Sequence, residues 1–284
     1  AALSQVDAET IEAFVDNVKT EPLIRKAPVA GKIIKEVQNP TWGTTEWTLS
    51  NGAKVIIKST KFKEDEIQFS AQALGGYADV PAEKAPSILT LPNTLGNMGL
   101  GSYNSSDLAK YLAGKIAGVG IDLGAYTRSV SGGTTPKDLP TLMELVYMAF
   151  TDVTFDRDEF EAMRKSTAAM LANQTTTPNY VFNEKMLTTL YTSPFQRMLT
   201  QADLEAADLD YITSLVHEMT SNAADFTFYF VGNVDLDNLR PLVETYIASI
   251  PGNAATARKG IPTYNPALFA KPGSADDTFS TKMA

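Results

Sequence analysis

Glu46-Trp47-Thr48-Leu49-Ser50-Asn51-Gly52-Ala53-Lys54-Val55-Ile56-Ile57-Lys58 contains two β-rich runs that meet at Asn51-Gly52. Asn-Gly supplies the positive-φ positions a tight turn needs, so the stretch reads as a β-hairpin. Downstream, Ile67 to Leu74 alternates apolar and polar residues, as a strand with one buried face does, and Gly75-Gly76 closes it. Gly118 to Thr135 offers two more strands around Thr127, ended by Gly132-Gly133. Phe226 to Val231 is a strongly β-prone run followed by Gly232-Asn233-Val234-Asp235.

Helical patterns fill the intervals. Residues 83 to 98 are helical in tendency, with Pro86 near the start and Pro92 awkwardly inside. Ser105-Ser106-Asp107 reads as the cap of a helix running to about Lys115. Asp138 opens a helix through Phe150 whose Leu139, Leu142, Leu145, Val146 and Ala149 share a face. Further helices are predicted from Asp156 to about Gln174, Asn179 to Tyr191, Ala206 to Met219 and Leu236 to Ile250. Strands, then helices, then one strand and one helix predict an α+β fold: a mixed, largely antiparallel sheet covered on one face by helices. Ile67 to Leu74 is expected at an exposed edge, where an extended peptide could add a strand.

The body is expected over residues 42–265. Before it, Leu3, Val6, Ile11, Phe14, Val15 and Val18 have helical spacing, and Pro22, Pro28, Gly31 and Pro40 then read as an extended linker. Residues 1–41 are thus expected to be a helix and linker from a preceding domain, and 266–284 a linker toward a following one.

The chain has 284 residues, a net charge of −9 and a pI near 4.8, without the clustered Lys and Arg that nucleic-acid binding needs. No run reaches the roughly 18 to 20 apolar residues of a membrane span. Asp7, Glu9, Glu12 and Asp16 occupy the place of a basic signal-peptide n-region. The chain therefore reads as a soluble segment, either freed of its signal or cut from something longer. With no cysteine there are no disulfides, thiolate metal sites or cysteine nucleophiles. The one histidine, His217, limits any metal site to a single imidazole.

His217-Glu218 does not begin an HExxH motif, because position 221 is Ser. A boundary histidine near a helix C-terminus is the simpler reading. Gly96, Gly99 and Gly101 do not form a P-loop, and Gly118, Gly120 and Gly124 miss the dinucleotide fingerprint; both sets read as turn and packing glycines. Glu64-Asp65-Glu66 reads as a solvated turn. Asp156, Asp158, Glu159 and Glu161 suit the first turn of a helix, and neither set has calcium-loop spacing.

These pieces share an order with a known family. It runs through the hairpin on Leu49 to Ile56, the strand ending Gly75-Gly76-Tyr77, Gly120 to Tyr126, Lys137 to Glu144, Phe155 to Phe160, and Phe226 to Asp235. Over residues about 42 to 265 the chain resembles a domain of the pitrilysin/insulinase zinc metallopeptidases. Ser105 to Lys115 looks like the second, inactive half of long bacterial members. The resemblance implies a mitochondrial-processing-peptidase-like metallohydrolase fold.

Active domains of that family carry HxxEH, two histidines and a water-activating glutamate, with a third ligand, Glu, on a later helix. Aligned through Gly99, the motif falls on Thr90, Asn93 and Thr94, and the distal ligand on Met170. Hydroxyls, an amide and a thioether cannot replace those groups. The resemblance thus implies a catalytically silent chain with no cofactor of its own, and zinc in an active partner domain. Its expected role is to help form a peptide-enclosing chamber and the interface with that domain, in the same polypeptide or in a partner subunit. Peptides are the implied substrates, a homodimer is possible, and the bacterial cell envelope is the implied compartment. A scaffold subunit with no peptide role is the alternative.

Overall fold

The computed structural model describes residues 19–258, 260, 263–276 and 278. The helix expected over residues 3–19 and the chain's last residues lie outside the described residues, Lys19 excepted. Seven strands form one sheet: β1 (Ile33–Asn39), β2 (Thr44–Leu49), β3 (Lys54–Ser59), β4 (Ile67–Leu74), β6 (Ala117–Leu123), β7 (Thr127–Thr134) and β9 (Thr227–Gly232). The order is β1-β2-β3-β9-β4-β7-β6, with only β3 and β9 parallel. The two-residue strands β5 (Gly99–Leu100) and β8 (Val153–Thr154) pair separately.

The hairpin forms where Asn51-Gly52 predicts it, pairing Trp47 with Val55. Gly52 alone takes the left-handed conformation, at φ +89°, which favours a residue without Cβ. Asn51 instead turns its amide toward the segment 247–250. There Nδ2 donates to the carbonyls of Ile247 and Ile250 at 2.8 and 2.9 Å.

Strand alternation sets the layers. Along β4, Ile67, Phe69, Ala71 and Ala73 are buried and the residues between them face outward. Trp47, Leu49, Val55, Ile57, Phe228 and Phe230 join them on the covered face. The helices α3 (Leu139–Thr151) and α7 (Leu209–Thr220) pack there, and the five residues predicted for the α3 face are all buried. Each large side chain so buried contributes about 1.5–3 kcal/mol over an exposed one.

Two expectations are corrected. Ile67 to Leu74 is not an exposed edge, because β9 pairs with one side of β4 and β7 with the other. The edges are β1 and β6. The stretch expected to be linker contains β1, which pairs with β2, so a boundary at residue 42 falls inside a hairpin. Upstream of β1, Leu23 is buried, and the Tyr103 hydroxyl donates to the Glu21 carbonyl at 2.5 Å.

Helix ends follow their caps. Asn104, not Ser105, caps α2 (Ser105–Tyr111), its side chain accepting from the Asp107 amide. The Ser105 and Ser106 hydroxyls donate instead to the Glu159 carboxylate of α4 (Arg157–Gln174), at 2.8 and 3.0 Å. Asp156 caps α4 as predicted. Thr177 starts α5 (Pro178–Leu190), and Thr200 and Asp203 form a capping box on α6 (Gln201–Ala206). The last helical pattern is α8 (Leu236–Leu242), which passes at Pro241 into a wider turn over Val243–Ile247.

Candidate functional site

Helix α1 (Ala85–Leu95) lies beside the edge strand β6 because the loop before it is stitched to the β6–β7 turn. The Gly75, Tyr77 and Ala78 amides donate to the carbonyls of Tyr126, Gly124 and Ala125 at 2.8, 3.0 and 2.9 Å. Glycine at 76 permits the crossing, since a Cβ there would sit 2.2 Å from the Gly124 oxygen. Between α1 and β6 lies a cleft of about 300 Å³. Ile88, Leu89, Leu91, Pro92 and Leu95 form one wall and Ile121, Asp122 and Leu123 the other. Tyr77 and Phe195 close the end, their rings 5.4 Å apart. The Gln196 amide donates to the Tyr77 hydroxyl at 2.9 Å. Burial, and secondarily the Asp122 carboxylate, push that phenol above its ordinary pKa.

None of the four expected degenerate-motif residues lines this cleft. Thr90 and Thr94 are buried on another face of α1, which packs against α6 and α7. The Thr94 hydroxyl donates to the Thr90 carbonyl at 3.1 Å, whereas the Thr90 hydroxyl has no hydrogen-bond partner among the described residues. Asn93 is half-buried, and Met170 is 49% exposed on α4. The α1 residues that do look into the cleft are Ile88, Leu89, Leu91, Pro92 and Leu95.

The chemistry of this face is apolar. Alkyl side chains and a proline offer a metal no donor, and one carboxylate, Asp122, on the opposite wall is too few ligands for a zinc site. Among the described residues no three His, Cys, Asp or Glu side chains cluster as a metal site would require. His217 sits in the last turn of α7, where its Nε2–H donates to the Val153 carbonyl at 2.7 Å. That bond ties α7 to β8. Glu66 binds Lys63 and Gln68, and the hydrogen bond from Lys63 holds its carboxyl below the ordinary range.

A buried ion pair went unnoticed in the sequence. Arg128 on β7 binds Asp225 and donates to the Leu74 carbonyl at 3.0 Å, while its Nε has no hydrogen-bond partner among the described residues. The pair lines a second cavity of about 480 Å³ with Asp79, Glu218 and Arg258. Asp225 also accepts from the Arg258 amide at 2.7 Å. Arg128 is separated from Asp225 by 97 residues, and no local pattern announces such a pairing.

The chain matches no family model. It is 26% identical over 233 residues to a zinc protease PQQL-like protein of Arabidopsis thaliana, covering 81% of this chain and 22% of that protein. It is 25% identical over 226 residues to the probable zinc protease PqqL of Escherichia coli, covering 77% of this chain and 23% of that protein. The chain is similar in sequence to zinc proteases of the PqqL type. Its fold is that of solved members. The periplasmic protease PqqL from Escherichia coli superimposes with a TM-score of 0.71 at 20% identity, covering 95% of this chain and 28% of that one. A peptidase M16 inactive domain from Pseudomonas fluorescens gives 0.60 at 16% identity, covering 77% and 53%. The chain spans about a fifth of the length of the curated relatives it matches.

Proposed function

We propose that this chain is a catalytically silent domain of a bacterial zinc metallopeptidase, forming part of the wall that encloses peptide and the interface with an active HxxEH domain. One observation carries the reading. The relatives are zinc proteases, yet this chain's single histidine is engaged with Val153, and the α1 residues that line the cleft are all apolar. Two imidazoles cannot come from one residue, and in neither register does α1 present a carboxylate base. Thr90, Asn93, Thr94 and Met170 are the degenerate positions in the alignment register.

Zinc belongs to the active partner in this reading, and the periplasm is the compartment, by analogy with the Escherichia coli relative. The test has two parts. Metal analysis of the purified chain after zinc exposure and dialysis should find no stoichiometric zinc, and the chain alone should cleave no peptide. Mixed with an active half of a PqqL-type protease, it should associate and raise peptide hydrolysis. Stoichiometric zinc with cleavage by the chain alone would refute the reading.

A further inference from the structure

We propose that Asn51-Gly52 is a site of spontaneous deamidation, gated by the chain segment 247–254 that clamps it. The site marks molecules in which that segment has come away from the β2–β3 turn.

The chemistry is local to the dipeptide. Asn51-Gly52 is the chain's one Asn-Gly pair, and glycine leaves the attacking backbone nitrogen without a shielding Cβ. That nitrogen, on losing its proton to base, bonds to Asn51 Cγ as the Cγ–Nδ2 bond breaks. Nδ2 departs as ammonia with a proton from water. Water then opens the cyclic imide at one of its two carbonyls, giving an aspartate or the isomer in which the main chain runs through the side chain.

The fold withholds both reacting groups. The Gly52 amide donates to the Leu49 carbonyl at 3.0 Å. The Asn51 carboxamide is anchored at both ends. Its Nδ2 donates to the Ile247 and Ile250 carbonyls at 2.8 and 2.9 Å, and its Oδ1 accepts from the Ala53 amide at 3.2 Å. Attack requires the flat carboxamide to turn broadside to the Gly52 nitrogen, and a group held at both ends cannot turn without breaking those bonds.

The clamp is a close-packed contact. A Cβ added at Gly52 would lie 2.9 and 3.0 Å from the Cβ atoms of Ala224 and Ala254, and one at Gly252 would lie 2.5 Å from the Asn51 backbone oxygen. The Ala223 amide donates to the Pro251 carbonyl at 2.9 Å, and the Asn253 amide donates to Asn222 Oδ1 at 2.8 Å, which pins the segment beside the turn. Opening these contacts frees the carboxamide, and the reaction proceeds. The product cannot close the clamp again. A carboxylate has no N–H for the Ile247 and Ile250 carbonyls and presents them with a negative charge.

Peptide mass mapping tests this on the 284-residue chain held at mildly alkaline pH, in buffer and in urea. In urea Asn51 should convert fastest of the asparagines, and in buffer its rate should fall about tenfold or more, since only open molecules react. Gly252→Ala forces the segment off the turn and should raise the rate in buffer about tenfold with the circular dichroism spectrum unchanged. Should that variant not fold, Asn222→Ala, which removes the acceptor for the Asn253 amide, takes its place. Leu142→Ala weakens the core in another element and should leave the rate in buffer near the wild-type value. Asn51→Asp, one of the two products, should speed hydrogen exchange of the 247–254 amides and not of those in β4. The assignment is overturned if another asparagine converts first in urea, or if the rates in buffer and urea agree. It is equally overturned if loosening the segment has no effect, if Leu142→Ala accelerates conversion as much, or if Asn51→Asp leaves exchange over 247–254 unchanged. None of these readouts involves zinc or peptide, so their outcome is separate from that of the role proposed above.

Discussion

Arg197 grips Asp203 with two parallel hydrogen bonds, Nη1 to Oδ2 at 2.5 Å and Nη2 to Oδ1 at 2.6 Å. The same carboxylate accepts from the Thr200 amide at 2.9 Å and hydroxyl at 2.6 Å, so one buried acid organises the start of α6 and the loop that carries Phe195. Burial pushes this carboxyl up, but the Arg197 and Thr200 hydrogen bonds outweigh it and hold the pKa below the ordinary value. The folded pKa is therefore lower than the unfolded one. The stabilisation is complete above the unfolded value near 3.8 and is lost as pH falls through the folded value. Asp203→Asn should cost about 2 kcal/mol at neutral pH, since Arg197 is only partly buried. Urea unfolding at pH 7 and pH 3 checks both statements: the gap between wild type and variant should narrow at pH 3.

Thr90 hides a hydroxyl without a partner. Thr90→Val keeps the shape and removes the unmatched polar group, so the variant should match the wild type or gain up to about 1 kcal/mol. Equal m-values with an unchanged or higher urea midpoint would agree. A clear loss would mean the hydroxyl has a role.

Gly76 and Gly118 make a contrasting pair. A Cβ at 76 would collide with backbone oxygen at 2.2 Å, whereas one at 118 meets nothing within 4 Å. Gly76→Ala should cost about 2 kcal/mol or more through forced displacement of the β6–β7 turn, and Gly118→Ala should change stability by less than about 0.5 kcal/mol. Thermal unfolding of the two variants side by side reads the difference.

The two registers of the degenerate motif separate by metal binding. Histidines introduced together as Ile88→His and Pro92→His face the cleft at a spacing of four, so the double variant should acquire zinc in the micromolar range, read by calorimetry. Thr90→His with Thr94→His places imidazoles in the packed interface with α6 and α7. That variant should lose about 3 kcal/mol or more without gaining a metal. Zinc binding by the second pair and not the first would favour the alignment register.

The sequence alone determined the elements that depend on near neighbours. Alternation at Ile67 to Leu74, the Asn51-Gly52 turn, the 3.6-residue face from Leu139 to Ala149 and the Asp156 cap are local signals, and each has its predicted counterpart. The count of one histidine was decisive for chemistry in the same way, because it needs no geometry. Tertiary structure decided which strand neighbours which. β9 enters between β3 and β4 from 168 residues beyond β3, measured from Ser59 to Thr227, and so buries the strand that looked like an edge. It likewise decided the facing of α1. Pro92 leaves the periodicity of that helix ambiguous, and only packing against α6, α7 and β6 turns Thr90 and Thr94 inward and Ile88, Leu91 and Pro92 toward the cleft. Strand order and helix rotation are set by the summed burial of surfaces distant in sequence, which no short window contains.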